Sequence, residues 1–296
     1  MKKLHNVIIR VAVVMIAFVA APRMAAQDAY FQLPIVPDSL QGLQPRVDYL
    51  IEHYWDFCDF NKAFNNRERM GESFRSYLNL MPHASARQAH KCIAKLLKTL
   101  EKRPDDLTFL ANTAEQHVHS DTSEIYSDEL YLPFIRAVVD NKRVDKSMKA
   151  RYEHQVKVLS ASQVGMSAPG FDYTDRDGNR CTFAPDSAEV TLIYFFDTEC
   201  GDCHLARARL NADISTSRYL DAGLVRVVAI SAEEPDEEWR EKVKNFPSAW
   251  TVGSAPDIDT IYDIKSTPSF YILDENSVIR MKNADINTVL AIMSRL

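Results

Sequence analysis

The sequence predicts an all-α domain followed by an α/β domain built on a mixed sheet. Three observations carry this. From about Asp28 to Ser160 the apolar residues recur at helical spacing. Near residue 160 the stretch "SASQVGMSAPG" breaks that pattern with small residues, glycine and proline. Beyond it, short β-branched and aromatic runs alternate with helical segments. The chain has 296 residues, 46% of them hydrophobic, which suffices for two cores of ordinary domain size. We divide it into a leader over 1–26, a helical domain over 27–160 and an α/β domain over 161–296.

The first 26 residues place Lys2, Lys3 and Arg10 ahead of an apolar run from Val11 to Ala21, with small residues before Gln27. This has the form of a secretory signal peptide, and the run is short for a bilayer span. The expected product is an exported, periplasmic chain, held at the membrane only if the leader is retained. Its loss removes Lys2, Lys3, Arg10 and Arg23 and takes the formal charge from −6 to −10. A chain this acidic repels phosphate backbones, which argues against nucleic acid as a partner.

Along the helical half, "RVDYLIEHYWDF" sets Val47, Leu50, Ile51 and Tyr54 on one stripe, and "RERMGESFRSYLNLM" does the same with Met70, Phe74, Tyr77, Leu78 and Met81. "SARQ", Ser85 to Gln88, reads as a capping box ahead of Cys92, Ile93, Leu96, Leu97 and Leu100. Pro104 suits a first helical turn. A further helix is expected from Ser127 to about Asn141 with an interruption at Pro133, and a last one over roughly Val144 to Leu159. "HVH", His117 to His119, lies near Glu115 and Asp121 but lacks a third ligand at metal-site spacing, so a polar loop and no metal is the expectation. The aromatics around Cys58 in "HYWDFCDF" read as core, and pairing of Cys58 with Cys92 stays open.

In the second half, "FDYTDRDGNRCTF" places two strand-like runs around Asp177-Gly178, a hairpin signal. "EVTLIYFFDTE" is a continuous apolar run of the kind buried on both faces of a sheet. "ECGDCH" follows at once, and "HLARARLNADISTS" behind it has Leu205, Ala208 or Arg209, and Ala212 at helical spacing, so the two cysteines sit on a strand-to-helix junction. "GLVRVVAIS" reads as a strand, "PDEEWREKVKNF" as a helix, "TPSFYILDE" and "VIRMK" as strands around a turn at Asp274 to Ser277, and "INTVLAIMSRL" as a closing helix.

Cys200 and Cys203 form a C-x-x-C with His204 directly behind, a string that fits a redox dithiol or covalent haem attachment. A thiolate is the attacking species in disulfide exchange, and a cysteine opening a helix meets unpaired N–H groups and the positive end of the helix dipole. Cys200 is therefore the expected nucleophile and Cys203 the resolving thiol. Haem would also need a second axial ligand, for which Met281 and Met293 are the candidates, and an enclosing pocket that this strand-helix order does not favour. No cofactor is expected.

Residues 161 to 296 resemble a thioredoxin-fold thiol-disulfide oxidoreductase of the exported TlpA/ResA-like group. The lead-in "GMSAPGF" from Gly165 to Phe171, the dithiol "CGDC" and a Thr267-Pro268 matching the family's cis-proline occur in the family's order. The helical half resembles a domain of unknown function found ahead of such modules. The resemblance implies a mixed-sheet fold with an N-terminal hairpin, exchange with protein thiols or disulfides, a separate electron-donating or electron-accepting partner, and a Thr267 backbone that lines up an extended partner segment.

The sequence departs from the family around Cys200. Glu199 replaces the usual aromatic residue, and Gly201-Asp202 replaces Gly-Pro. Two carboxylates oppose a negative sulfur and a charged His204 favours it, so all three are expected to tune the site. The acid that thioredoxins bury six residues before the nucleophile falls at Tyr194, leaving Glu199 or water as the proton route for Cys203. A peroxiredoxin motif is absent, since Thr198 lies too close to Cys200 and Ile193 stands where its proline should be. Asp202, unlike the histidine of strongly oxidising relatives, favours a reductase or isomerase. The alternative from another class is a non-catalytic scaffold whose helical half binds the ligand.

Overall fold

The computed structural model describes residues 31–120, 123–184 and 188–296. The leader read over 1–26 and Asp121 lie outside these residues. The chain forms two compact units that change over between Val156 and Lys157. Among the described residues no helix is long and apolar enough to cross a membrane.

The helical unit contains α1 (Leu43–His53), α2 (Phe60–Ala63), α3 (Arg67–Leu80), α4 (Ala86–Leu100), α5 (Pro104–Val118) and α6 (Asp128–Asp140), and α7 (Lys146–Ala161) crosses the changeover. The stripes expected on α1 and α3 are buried. Ser85 caps α4, its hydroxyl accepting the Gln88 N–H at 3.3 Å. The reciprocal half of the capping box is supplied from α1, because the Ser85 N–H goes to Asp48 at 2.7 Å.

Two expectations for this unit are corrected. α6 runs through Pro133 without a break. One ladder bond is lost there, but Leu130, Tyr131, Leu132, Phe134, Ile135 and Val138 are all buried around it and hold the helix. "HVH" is not a polar loop. His117 ends α5 with Nε2 2.6 Å from Asn79 Oδ1. His119 is buried, with Nδ1 2.8 Å from Asp128 Oδ1 and its ring stacked on Tyr131.

The α/β unit runs β1 (Asp172–Asp175), β2 (Arg180–Thr182), β3 (Val190–Phe196), α8 (Gly201–Ala212), α9 (Ile214–Asp221), β4 (Val225–Ser231), α10 (Glu237–Val243), β5 (Thr251–Ser254), β6 (Ser269–Asp274), β7 (Ile279–Ala284) and α11 (Ile286–Met293). Its sheet has the order β2-β1-β5-β4-β3-β6-β7. β3, β4 and β5 are parallel, and the remaining pairings are antiparallel. The lead-in braces the far edge, where Gly165 N–H donates to Ile279 O and Ala168 N–H to Ser277 O, both at 2.8 Å.

Every residue of β3 is buried, as expected of a strand covered on both faces. Leu192, Tyr194 and Phe196 face one core with Cys203, Ala206 and Leu210 of α8. Ile193 and Phe195 face the other with Phe171 and Tyr262. The buried stripe of α8 is thus Cys203, Ala206 and Leu210 and not the set of Leu205, Ala208 or Arg209, and Ala212, and Leu205 is 58% exposed. The helical run also breaks at Asp213, whose carboxylate accepts the Thr216 N–H and hydroxyl, each at 2.7 Å, and starts α9. β5 has no counterpart in the sequence reading. It is four residues long and holds Gly253, where a Cβ would lie 2.3 Å from Tyr173 Cδ2.

Candidate active site

The buried β3 delivers the chain to the sheet's edge, and Cys200 is the N-cap residue of α8. Its extended backbone (φ −79°, ψ 112°) lets Sγ accept the Cys203 N–H at 3.1 Å. An N–H aimed at sulfur and the positive end of a helix are surroundings that stabilise negative charge on that sulfur. From the opposite side the Thr267 carbonyl lies 3.6 Å from Cys200 Sγ and accepts the S–H. The Thr267-Pro268 bond is cis, as the resemblance implied. Cys200 is half-buried, whereas Cys203 is 1% exposed.

Burial, followed by contact with Cys200, pushes the Cys203 thiol up to about 12, against which the Asp197 amide and Thr267 side chain act. Tyr194 stands behind Cys203. Its phenol donates to the Cys203 carbonyl at 2.7 Å, its ring stacks on Phe270 at 4.7 Å, and burial raises its pKa. The five cysteines are all free thiols, so Cys58 and Cys92 are unbonded, and burial raises them to about 12 and about 11.

The charged neighbours are arranged by contacts that their sequence positions do not reveal. Glu199 reaches away to Lys242 of α10, Oε1 to Nζ 2.6 Å, and Lys242 also holds Glu238 of the same helix at 2.7 Å. The hydrogen bond and charge of Lys242 keep the Glu199 carboxyl below its ordinary range. With its carboxylate engaged there, Glu199 is not the contact that the Cys203 proton route requires. Asp202 is exposed in the first turn of α8. His204 Nε2 donates to the Thr198 carbonyl at 2.9 Å, which ties the first turn of α8 back to the preceding loop. Thr198 in turn gives its N–H (2.9 Å) and hydroxyl (2.5 Å) to Glu233.

Lys242 and Glu233 are the residues sequence reasoning missed. Both lie in "EEPDEEWREK", a mixed-charge run that reads as a solvated helix face, and only the β3–β4 pairing brings it beside the dithiol. Of the methionines considered for haem, Met293 is buried in the core and Met281 packs partly buried against it.

Residues 13–162, just over half the chain, match the family model described as a domain of unknown function, DUF5106. The chain belongs to the DUF5106 family. No protein of curated function matches it significantly. Among solved structures, a thioredoxin-like protein from Bacteroides caccae is 20% identical and superposes with a TM-score of 0.77, covering 90% of this chain and 98% of its own. That likeness establishes the thioredoxin-like fold. A conserved protein of unknown function from Bacteroides fragilis is 30% identical over 44% of this chain and 97% of its own, with a TM-score of 0.42. A domain of a possible thiol-disulfide isomerase from Cytophaga hutchinsonii is 28% identical over 43% of this chain and 88% of its own, with a TM-score of 0.36.

Within the DUF5106 segment, Trp55 and Phe60 do more than fill a core. With Ile51, Cys92, Lys95 and Leu96 they line a cavity of about 80 Å³. Tyr54 of the same aromatic run is fully buried, while Phe57 is 59% exposed.

Proposed function

We propose that this protein is an exported thiol-disulfide oxidoreductase that exchanges a Cys200-Cys203 dithiol or disulfide with protein thiols, in the reductase or isomerase direction. The single observation that carries the reading is Cys200 Sγ at the head of α8, half-buried, accepting the Cys203 N–H at 3.1 Å with the Thr267 carbonyl facing it. Export rests on the leader over 1–26. In this reading the helical domain over 27–160 docks a partner or restricts access to the α/β domain over 161–296.

In the reducing direction the Cys200 thiolate attacks one sulfur of a partner disulfide. The partner S–S bond breaks, a Cys200–partner mixed disulfide forms, and the departing partner thiolate takes up a proton. Cys203 loses its proton and attacks Cys200 Sγ, releasing the second partner sulfur. The partner gains two electrons and two protons, and the dithiol becomes a disulfide, to be re-reduced by a thiol donor. The Thr267 backbone lies beside Cys200, where an extended partner strand has main-chain groups to pair with.

The test is insulin reduction by dithiothreitol together with trapping. The intact protein accelerates insulin precipitation, Cys203→Ser accumulates a mixed disulfide on a non-reducing gel, and Cys200→Ser does neither. If no Cys200–Cys203 disulfide forms, and binding of partner protein is unchanged when both cysteines are serine, the scaffold reading replaces this one.

A further inference from the structure

We propose that Lys242 is a positioning residue of the dithiol: it holds the Glu199 carboxylate along α10 and offsets part of its charge, so that a negative sulfur at Cys200 is opposed less by the residue before it. This rests on the reading of Cys200 as the attacking sulfur.

The backbone leading into Glu199 is anchored. Thr198 gives its N–H and hydroxyl to Glu233, and the Glu199 N–H donates to Asp197 Oδ1 at 2.7 Å. The start of the Glu199 side chain is thereby set, and Lys242 sets its end, 2.6 Å from Nζ. Lys242 is 33% exposed, against 76% for Glu199 and 75% for Glu238, so the cation is the less exposed partner of two outlying carboxylates. The exposure of the acids means that the contact contributes little to stability. Its effect is on charge placement beside the sulfur.

The other charged groups around the dithiol are otherwise engaged or lie open. Glu233 is spent on Thr198, His204 bonds the Thr198 carbonyl, Arg207 lies 4.4 Å over the Phe246 ring, and Asp202 is exposed on the first turn of α8. The cation that contacts Glu199 is Lys242, and it arrives from a different element than either cysteine. A carboxylate about 7 Å from a sulfur in water-like dielectric changes a thiolate-limited rate about twofold at low ionic strength, less at physiological salt.

The experiment uses full-length reduced protein and follows iodoacetamide alkylation of Cys200 by peptide mass spectrometry at neutral pH. At about 10 mM salt, where screening is weak, Lys242→Met is expected to slow alkylation about twofold. The difference shrinks at physiological salt, Lys242→Arg keeps the wild-type rate, and Glu199→Gln added to Lys242→Met restores it. The Cys200–Cys203 reduction potential of Lys242→Met moves to a more negative value, because its reduced form loses stabilisation. An unchanged rate in Lys242→Met at low salt, or a slow rate that Glu199→Gln does not restore, overturns the proposal. Failure of the oxidoreductase reading shows separately, as wild-type protein whose Cys200 alkylates but which does not reduce insulin.

Discussion

Tyr194 occupies the position where thioredoxins bury an acid, and it cannot do that acid's work. Its hydroxyl is donated to the Cys203 carbonyl, and burial raises both the phenol and the Cys203 thiol. Resolution of the mixed disulfide therefore depends on the small thiolate fraction of Cys203. Stopped-flow release of a trapped partner is expected to quicken about tenfold per pH unit between pH 7 and 9 without a plateau, since a thiol titrating well above that range gains thiolate in that proportion. Tyr194→Asp places a proton acceptor there and raises the release rate at neutral pH; a pH-independent wild-type rate defeats the idea. Tyr194→Phe keeps the ring stack but removes one of the two hydrogen bonds to a carbonyl that stays in the α8 ladder, at a cost of about 0.5–1.5 kcal/mol in urea unfolding. The same thiol shapes stability. It releases its proton near 9.0 when unfolded but near 12 when folded. A raised folded value stabilises below the unfolded one and is lost as pH rises, so the wild-type Tm falls from about pH 9 upward, and Cys203→Ala flattens that fall.

At the scale of elements, short segments are held by contacts as much as by propensity. The four-residue β5 pairs with β1 with the Tyr173 ring packed against Gly253, where any Cβ would collide with the ring. Gly253→Ala is expected to cost about 1–3 kcal/mol in urea unfolding, the range for overpacking a filled site. Ser85→Ala removes the acceptor of the Gln88 N–H at the head of α4 and is expected to cost about 1 kcal/mol. α8 differs from the other capped helices in that its cap is the candidate nucleophile. Oxidation of Cys200 turns that sulfur into a weaker acceptor, while the Cys203 N–H keeps the Cys200 carbonyl at 3.1 Å, so the helix start holds in both redox states.

For the whole molecule, each unit has its own core and its own buried thiol, so local stability can be read separately. Phe134 and Cys92 belong to the helical core, and Leu210 and Cys203 to the α/β core. Phe134→Ala is expected to speed native-state labelling of Cys92 with little effect on Cys203, and Leu210→Ala the reverse, because opening is local and each truncation costs about 2–5 kcal/mol where it lies. Equal acceleration at both thiols in either variant would refute this independence.

Apart from β5 and the helix restart at Asp213, the order of the longer helices and strands, the hairpin at Asp177-Gly178, the buried β3 and the placing of Cys200 at a strand-to-helix junction were all legible in the sequence. Each is carried by local periodicity or turn chemistry, which neighbouring residues alone determine. Tertiary structure decided the rest. A helical period shows that α8 has a buried face, but only the packing of β3 and α11 selects Cys203, Ala206 and Leu210 over Leu205. Pro133 looked like a break because the apolar burial that holds α6 together is supplied by other helices. His119 read as polar until the fold gave it Asp128 and Tyr131. The acids beside Cys200 were visible as residues, yet their effect hangs on Lys242, which lies far along the chain and is brought in by a parallel strand pairing. Charge acts through space, and that distance is set only when the chain has folded.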